Sequence, residues 1–122
     1  MDIRLSRAYD PPGPEDGHRI LVDRIWPRGR SRAALALDSW ARELGPSDAL
    51  RRWFGHDPVR WDEFRRRYRA ELARPEVQPL LDDLVTTARA DTLTLVYGAA
   101  DRDHNQAVVL AELITERAVD GG

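Results

Sequence analysis

Cysteine is absent from the 122-residue chain, which excludes disulfides, thiolate-held metals and thiol nucleophiles. Lysine is absent as well: all 19 basic residues are Arg, so neither a Schiff base nor a phosphate-loop lysine can be built. A GC-rich coding sequence would produce that usage without any functional demand for Arg, and it is the expected explanation. No apolar run approaches the roughly 20 residues of a bilayer-spanning helix. Met1 to Tyr9 lacks the apolar stretch and small-residue cleavage site of a signal peptide. The protein is therefore expected to be cytoplasmic, with no membrane association. A glycine-rich phosphate loop and a dinucleotide fingerprint are both missing, and nothing in the residues names a cofactor. None of the four serines lies in a glycine-flanked strand-to-helix elbow, so Ser-His-Asp hydrolysis finds no support.

What is present is an ordinary globular composition, 42% apolar and 33% charged, at a length that suits one domain with its own core. A net charge of -2 argues against a protein that coats nucleic acid non-specifically, although a local basic patch remains open.

Ile3 and Leu5 alternate with Arg4 and Ser6, the period-2 pattern of a half-buried strand over Ile3 to Ala8. The segment DPPGPEDG at residues 10–17 follows. Its prolines and glycines forbid regular structure and leave no room for a crossover helix. Arg19 to Trp26 opens with the apolar run Ile20, Leu21 and Val22 and reads as a central strand covered on both faces. Beyond it, Ser31 or Asp38 is a candidate helix cap. Leu37, Trp40, Ala41 and Leu44 have the spacing of one face of a helix stopped by Gly45-Pro46. Ser47 is a natural N-cap for a short helix ending at Phe54 and Gly55. Asp57-Pro58 starts another, whose apolar stripe is Trp61, Phe64, Tyr68 and Leu72. A helix is expected over Gln78–Ala90, then a buried strand over Thr92–Gly98. A last, well-buried helix follows, with Asp103 as N-cap and Gln106 completing a capping box. Strands separated by helices make a small parallel or mixed sheet flanked by helices.

Three stretches together carry a family likeness. Residues 21–29 (LVDRIWPRG), 50–58 (LRRWFGHDP) and 101–110 (DRDHNQAVVL) occur in an order that resembles the YeaO-like branch of domain-of-unknown-function family 488, over about Ile3 to Leu113. The resemblance implies an α/β fold with a small, mostly parallel sheet, here three-stranded and with the pairing of the first strand undetermined. It implies no particular substrate. Gly98 stands where the family pattern would have Ala, a change that permits closer backbone approach at a strand end.

In sheets of this kind ligands sit beyond the carboxyl ends of the strands, which places residues 23–30 and 97–105 at one rim. Asp23 and Arg24 are either an internal ion pair or part of an anion clamp, and Arg28 is a better candidate for ligand contact because its loop reaches the rim. Trp26 could wall a pocket, with Tyr97 and Asn105 as further binding candidates. Asp101, Asp103, His104 and Asn105 precede a helix N-terminus. They are either caps or, with Arg24 and Arg28, a mixed-charge cleft for a small phosphate- or carboxylate-bearing molecule. If there is chemistry, His104 or His56 would be the acid or base and Asp101 its carboxylate support. A metal held by His104, Asp101 and Asp103 is a weaker reading, since that spacing is unspecific. Two further readings stand beside the anion cleft. One is a nucleic-acid-associated protein using Arg60, Arg65, Arg66, Arg67 and Arg69, which are otherwise a solvated ion-paired helix face; the other is a partner-binding module without chemistry. The oligomeric state is not legible.

Overall fold

The computed structural model describes residues 1–120. The strands are β1 (Asp2–Arg7), β2 (His18–Leu21), β3 (Ser39–Trp40) and β4 (Thr92–Tyr97). The helices are α1 (Arg32–Leu35), α2 (Asp48–Phe54), α3 (Trp61–Leu72), α4 (Gln78–Ala90) and α5 (Gln106–Asp120). The β-branched and apolar stretch TLTLVY forms β4, which is buried along nearly its whole length because it lies inside the sheet. The strand order is β1-β4-β2-β3, and every pair is parallel.

The sheet thus has four strands rather than the expected three, and the extra one lies where a helix over Leu37–Leu44 was expected. Helix α1 is only four residues long, capped by the Ser31 side chain and closed by Ala36 in the left-handed conformation. The chain then docks on β2, with Asp38 N donating to Arg19 O (2.8 Å) and Ala41 N to Leu21 O (2.8 Å). Helical spacing of Leu37, Trp40 and Leu44 is therefore met by a strand followed by a 3-10 turn. Leu37 and Trp40 reach one side of the sheet, while Leu44 joins the main core on the other. Strand β2 is also shorter than expected. Val22 N still donates to Val96 O (3.0 Å), and the chain leaves the sheet at Asp23.

Alternation along β2 and β4 divides the molecule into two layers around the sheet. Ile20, Val22, Leu93, Leu95 and Tyr97 face the main core, built with Leu50, Phe54, Phe64, Tyr68, Leu81, Val85, Leu110 and Ile114 from α2 to α5. Buried Tyr68 donates its hydroxyl to Leu44 O, which satisfies the one polar atom its ring brings inside. Ala8, Leu21, Leu35 and Val96 form the smaller second face, closed by Trp26, Leu37 and Trp40. Among the described residues no helix is long and apolar enough to cross a membrane.

Candidate functional site

Because β2 and β4 are adjacent and parallel, the segments that follow them emerge side by side. Between them opens a cleft of about 900 Å³. Of the residues singled out from sequence, Asp23, Arg24, Trp26, Arg28, His56, Asp101, His104 and Asn105 all line it. Tyr97 does not. It is 2% exposed and belongs to the main core, because its odd position on β4 points it to the helical layer.

After β4 the chain turns on Asp101, whose Oδ1 accepts from Asp103 N (2.9 Å) and His104 N (3.0 Å). Its Oδ2 lies 2.9 Å from His104 Nδ1. The Asp103 backbone N–H, and next the His104 side chain, hold the Asp101 carboxyl below its ordinary range. The His104 and Trp61 rings meet edge-to-face, at 5.3 Å between centroids. Helix α5 is capped by Asn105 and not by Asp103. Asn105 Oδ1 accepts from Ala107 N (2.9 Å) and Val108 N (3.2 Å), and its Nδ2 donates to Asp101 O (2.9 Å). Being buried, Asn105 satisfies donors that water cannot reach.

Asp23 and Arg24 do not pair with one another. Arg24 turns away, giving Nε to Pro46 O (3.0 Å) and Nη2 to Gly45 O (2.8 Å). That approach needs a glycine, since a Cβ at Gly45 would lie 2.5 Å from Arg24 N. Asp23 instead accepts from Gly98 N (2.8 Å) and from the Gln106 carboxamide. Burial pushes its carboxyl up to about 6, against the opposing pull of these two donors. The Gly98 departure now has a physical meaning. A Cβ there would stand 2.9 Å from Asp23 Oδ2, so glycine gives the carboxylate room on the backbone N–H.

At the mouth, Arg28 is exposed and makes no side-chain hydrogen bond or ion pair among the described residues. Trp26 is anchored by Nε1–H to Arg30 O (2.7 Å) and meets Trp40 edge-on at 5.3 Å. His56 sits beside Phe54, 6.4 Å between ring centroids, in the left-handed backbone conformation (φ 58°) that follows Gly55. Beyond the expected rim, Arg7, Tyr9, Arg51 and Gln106 bring further polar groups to the cleft, and Pro46, Phe54 and Phe64 add apolar lining. Gln106 was treated only as part of a capping box. Arg7 and Tyr9, at the end of β1, carried no local signal because the pairing of β1 with β4 was unknown. Arg7 Nε donates to Ala99 O (2.8 Å), and its guanidinium lies 5.1 Å from the Tyr9 ring centroid.

Elsewhere the Arg-rich face of α3 is occupied internally. Arg66 and Arg67 bind Glu63, while Arg65 and Arg69 bind Glu112 on α5 and Arg69 also binds Glu116. Arg60 reaches Trp53 O and lies near Asp57, and Asp57 caps the turn it opens by accepting from Val59 N (3.0 Å). No group of three or more His, Asp or Glu side chains among the described residues is placed to hold a metal ion.

The chain is similar to proteins that carry no assigned activity. One, from Escherichia coli K12, is called uncharacterized protein YeaO and is 45% identical over 112 residues, 92% of this chain and 96% of that protein. Another, from Mycobacterium tuberculosis H37Rv, is called uncharacterized protein Rv3073c and is 36% identical over 115 residues, 94% of this chain and 95% of that protein. No solved structure matches. With a family model described as the inactive DUF488-N3 subclade matching residues 2–120, and with these relatives spanning nearly the whole chain, the protein belongs to the YeaO-like DUF488 family.

Proposed function

We propose that the cleft beyond β2 and β4 binds a small phosphate- or carboxylate-bearing molecule, and that it binds without turning it over. The observation that carries this reading is the charge on the wall. Arg7, Arg24, Arg28 and Arg51 line the cleft together with two carboxylates, Asp23 and Asp101; Arg7 and Arg24 are held by backbone carbonyls and Arg51 lies near Asp48, whereas Arg28 brings a guanidinium that no protein group occupies among the described residues. Such a fork matches an anion bidentately. The first turn of α5 opens on the same cleft and adds its positive end.

The His104–Asp101 pair supports an acid–base reading too, because the carboxylate at Nδ1 orients the ring and leaves Nε2 without a partner among the described residues. The description of the subclade as inactive favours recognition over catalysis. Nucleic-acid binding through α3 loses its support, since the arginines it would use are paired with Glu63, Glu112 and Glu116.

Thermal unfolding in the presence of inorganic phosphate, simple phosphate monoesters and short carboxylates tests the proposal. A ligand at a hundred times its Kd stabilises the native state by about 2.7 kcal/mol, which raises the melting temperature by several degrees. Arg28→Ala is expected to remove most of that rise and His104→Ala part of it. Absence of any shift in the folded wild-type protein would end the reading, and an undiminished shift in Arg28→Ala would put the anion elsewhere.

A further inference from the structure

The cleft has a second requirement besides the anion, set by Asp23. This side chain lines the cleft and is half-buried, yet no Arg or His forms an ion pair with it among the described residues. The nearest candidate in sequence, Arg24, spends its guanidinium on the carbonyls of Gly45 and Pro46. The carboxylate receives one backbone N–H, from Gly98, and one carboxamide N–H, from Gln106. Two carboxylate oxygens offer about four acceptor positions, so roughly half of that capacity is left unfilled. Buried carboxylates are ordinarily paired with a cation or saturated with donors. An under-supplied one on the wall of a ligand cleft attracts a group rich in N–H.

We infer that the ligand is a zwitterion, with an ammonium or other cationic nitrogen group on Asp23 and its phosphate or carboxylate toward Arg28. The inference rests on the anion-binding reading of the same cleft and adds the opposite pole. Three features of the site serve this arrangement. The arginine closest in sequence is tied back by two carbonyls, so it forms no ion pair with Asp23 and leaves the carboxylate oxygens to a ligand. Gly98 leaves the carboxylate Oδ2 uncrowded, where a Cβ would stand 2.9 Å away. The Gln106 carboxamide donates to one oxygen, fixing the plane of the carboxylate while leaving lone pairs free. A simple anion would satisfy Arg28 and gain nothing from Asp23, whose charge would oppose it.

Matched ligands separate the two poles. Isothermal calorimetry on the full chain with a series of ω-aminoalkyl phosphates of increasing chain length is compared with alkyl phosphates of the same lengths, and with inorganic phosphate. In the wild type at least one amino member is expected to bind about tenfold more tightly than its alkyl counterpart, the effect of one charge-assisted contact. Asp23→Asn keeps an oxygen for the Gly98 N–H and is expected to abolish that preference while leaving alkyl phosphate affinity the same or higher. Arg28→Ala should weaken both series alike. If alkyl and amino members bind wild-type protein equally at every length, the zwitterion inference falls and the anion cleft stands. If neither series nor phosphate binds, both fall. A preference that persists in Asp23→Asn would place the cationic pole on another residue and overturn the assignment.

Discussion

Asp23 is the residue whose behaviour departs furthest from what its position in the sequence suggested. Beside Arg24 it reads as either half of an internal ion pair or part of an anion clamp. The folded chain separates the two, and burial then raises the Asp23 carboxyl to about 6 from an ordinary 3.8. The consequence for stability has a definite sign. Between those two values the folded state holds a proton that the unfolded state has released, so this group stabilises the fold at low pH and that contribution is lost as pH rises through about 6. Removing the charge should therefore help at neutral pH and do nothing in acid. Asp23→Asn is expected to be more stable than wild type by about 1–2 kcal/mol at pH 8 and equal to it near pH 4, as measured by urea denaturation across the range. A constant difference at all pH values would show that Asp23 titrates as an ordinary surface carboxylate. Arg28 illustrates the opposite case. Its exposure and reach are legible from Pro27, Gly29 and the loop they make; in the fold Gly29 takes φ 76° with nothing among the described residues within 4 Å of where a Cβ would stand.

At the level of elements, local chemistry read well wherever a side chain bonds to its own neighbourhood. Ser47 caps α2 at Leu50 N (3.2 Å) and Gly55 closes that helix in the left-handed conformation. Asp57 with Pro58 opens the next turn, and the stripe of Phe64, Tyr68 and Leu72 is buried on α3. The N-cap of α5 lies two residues beyond the Asp103 position that the spacing predicts. Asp103 has the capping-box spacing, but Asp101 takes over the turn and Asn105 becomes the cap, a competition among adjacent polar residues that spacing alone does not decide. The two assignments predict different variants. Asn105→Ala removes two accepted hydrogen bonds and one donated bond from a buried position and is expected to cost about 2 kcal/mol. Asp103→Ala, which removes a side chain with no hydrogen bond among the described residues, is expected to stay within about 0.5 kcal/mol. Chemical denaturation of the pair distinguishes them, and equal costs would restore Asp103 as the cap. The missed strand β3 has a different cause. Two residues carry no periodicity of their own, and the segment becomes a strand only because the edge of β2 is there to pair with it.

Across the whole molecule, the decisive step is the return from β1 to β2. The two strands are parallel but not adjacent, with β4 between them, and residues 8–17 make the crossing without a helix. The loop lies over the second face of the sheet. Thr94 Oγ1 donates to Asp16 O (2.7 Å), and Arg19, 3% exposed, gives Nη1 to Asp16 (2.6 Å) and Nε to Leu35 O (3.0 Å). Gly17 packs directly against the start of β4. Its φ is 62°, and a Cβ would stand 2.3 Å from Thr92 O. Gly17→Ala is expected to cost about 3 kcal/mol, whereas Gly29→Ala, strained in φ but unobstructed, should cost about 1 kcal/mol. Similar midpoints in guanidinium unfolding would mean that the crossing is looser than its geometry implies. Period and propensity were enough by themselves for the α/β class, most of the helices and the buried final strand, because those signals are local to each element. The sheet order, the fourth strand, the separation of Asp23 from Arg24, and the arrival of Arg7 and Tyr9 in the cleft were decided by tertiary structure alone. Each depends on which strand edge meets which, and such a pairing joins residues up to 90 positions apart, as Asp2 and Thr92 are joined in the register of β1 and β4.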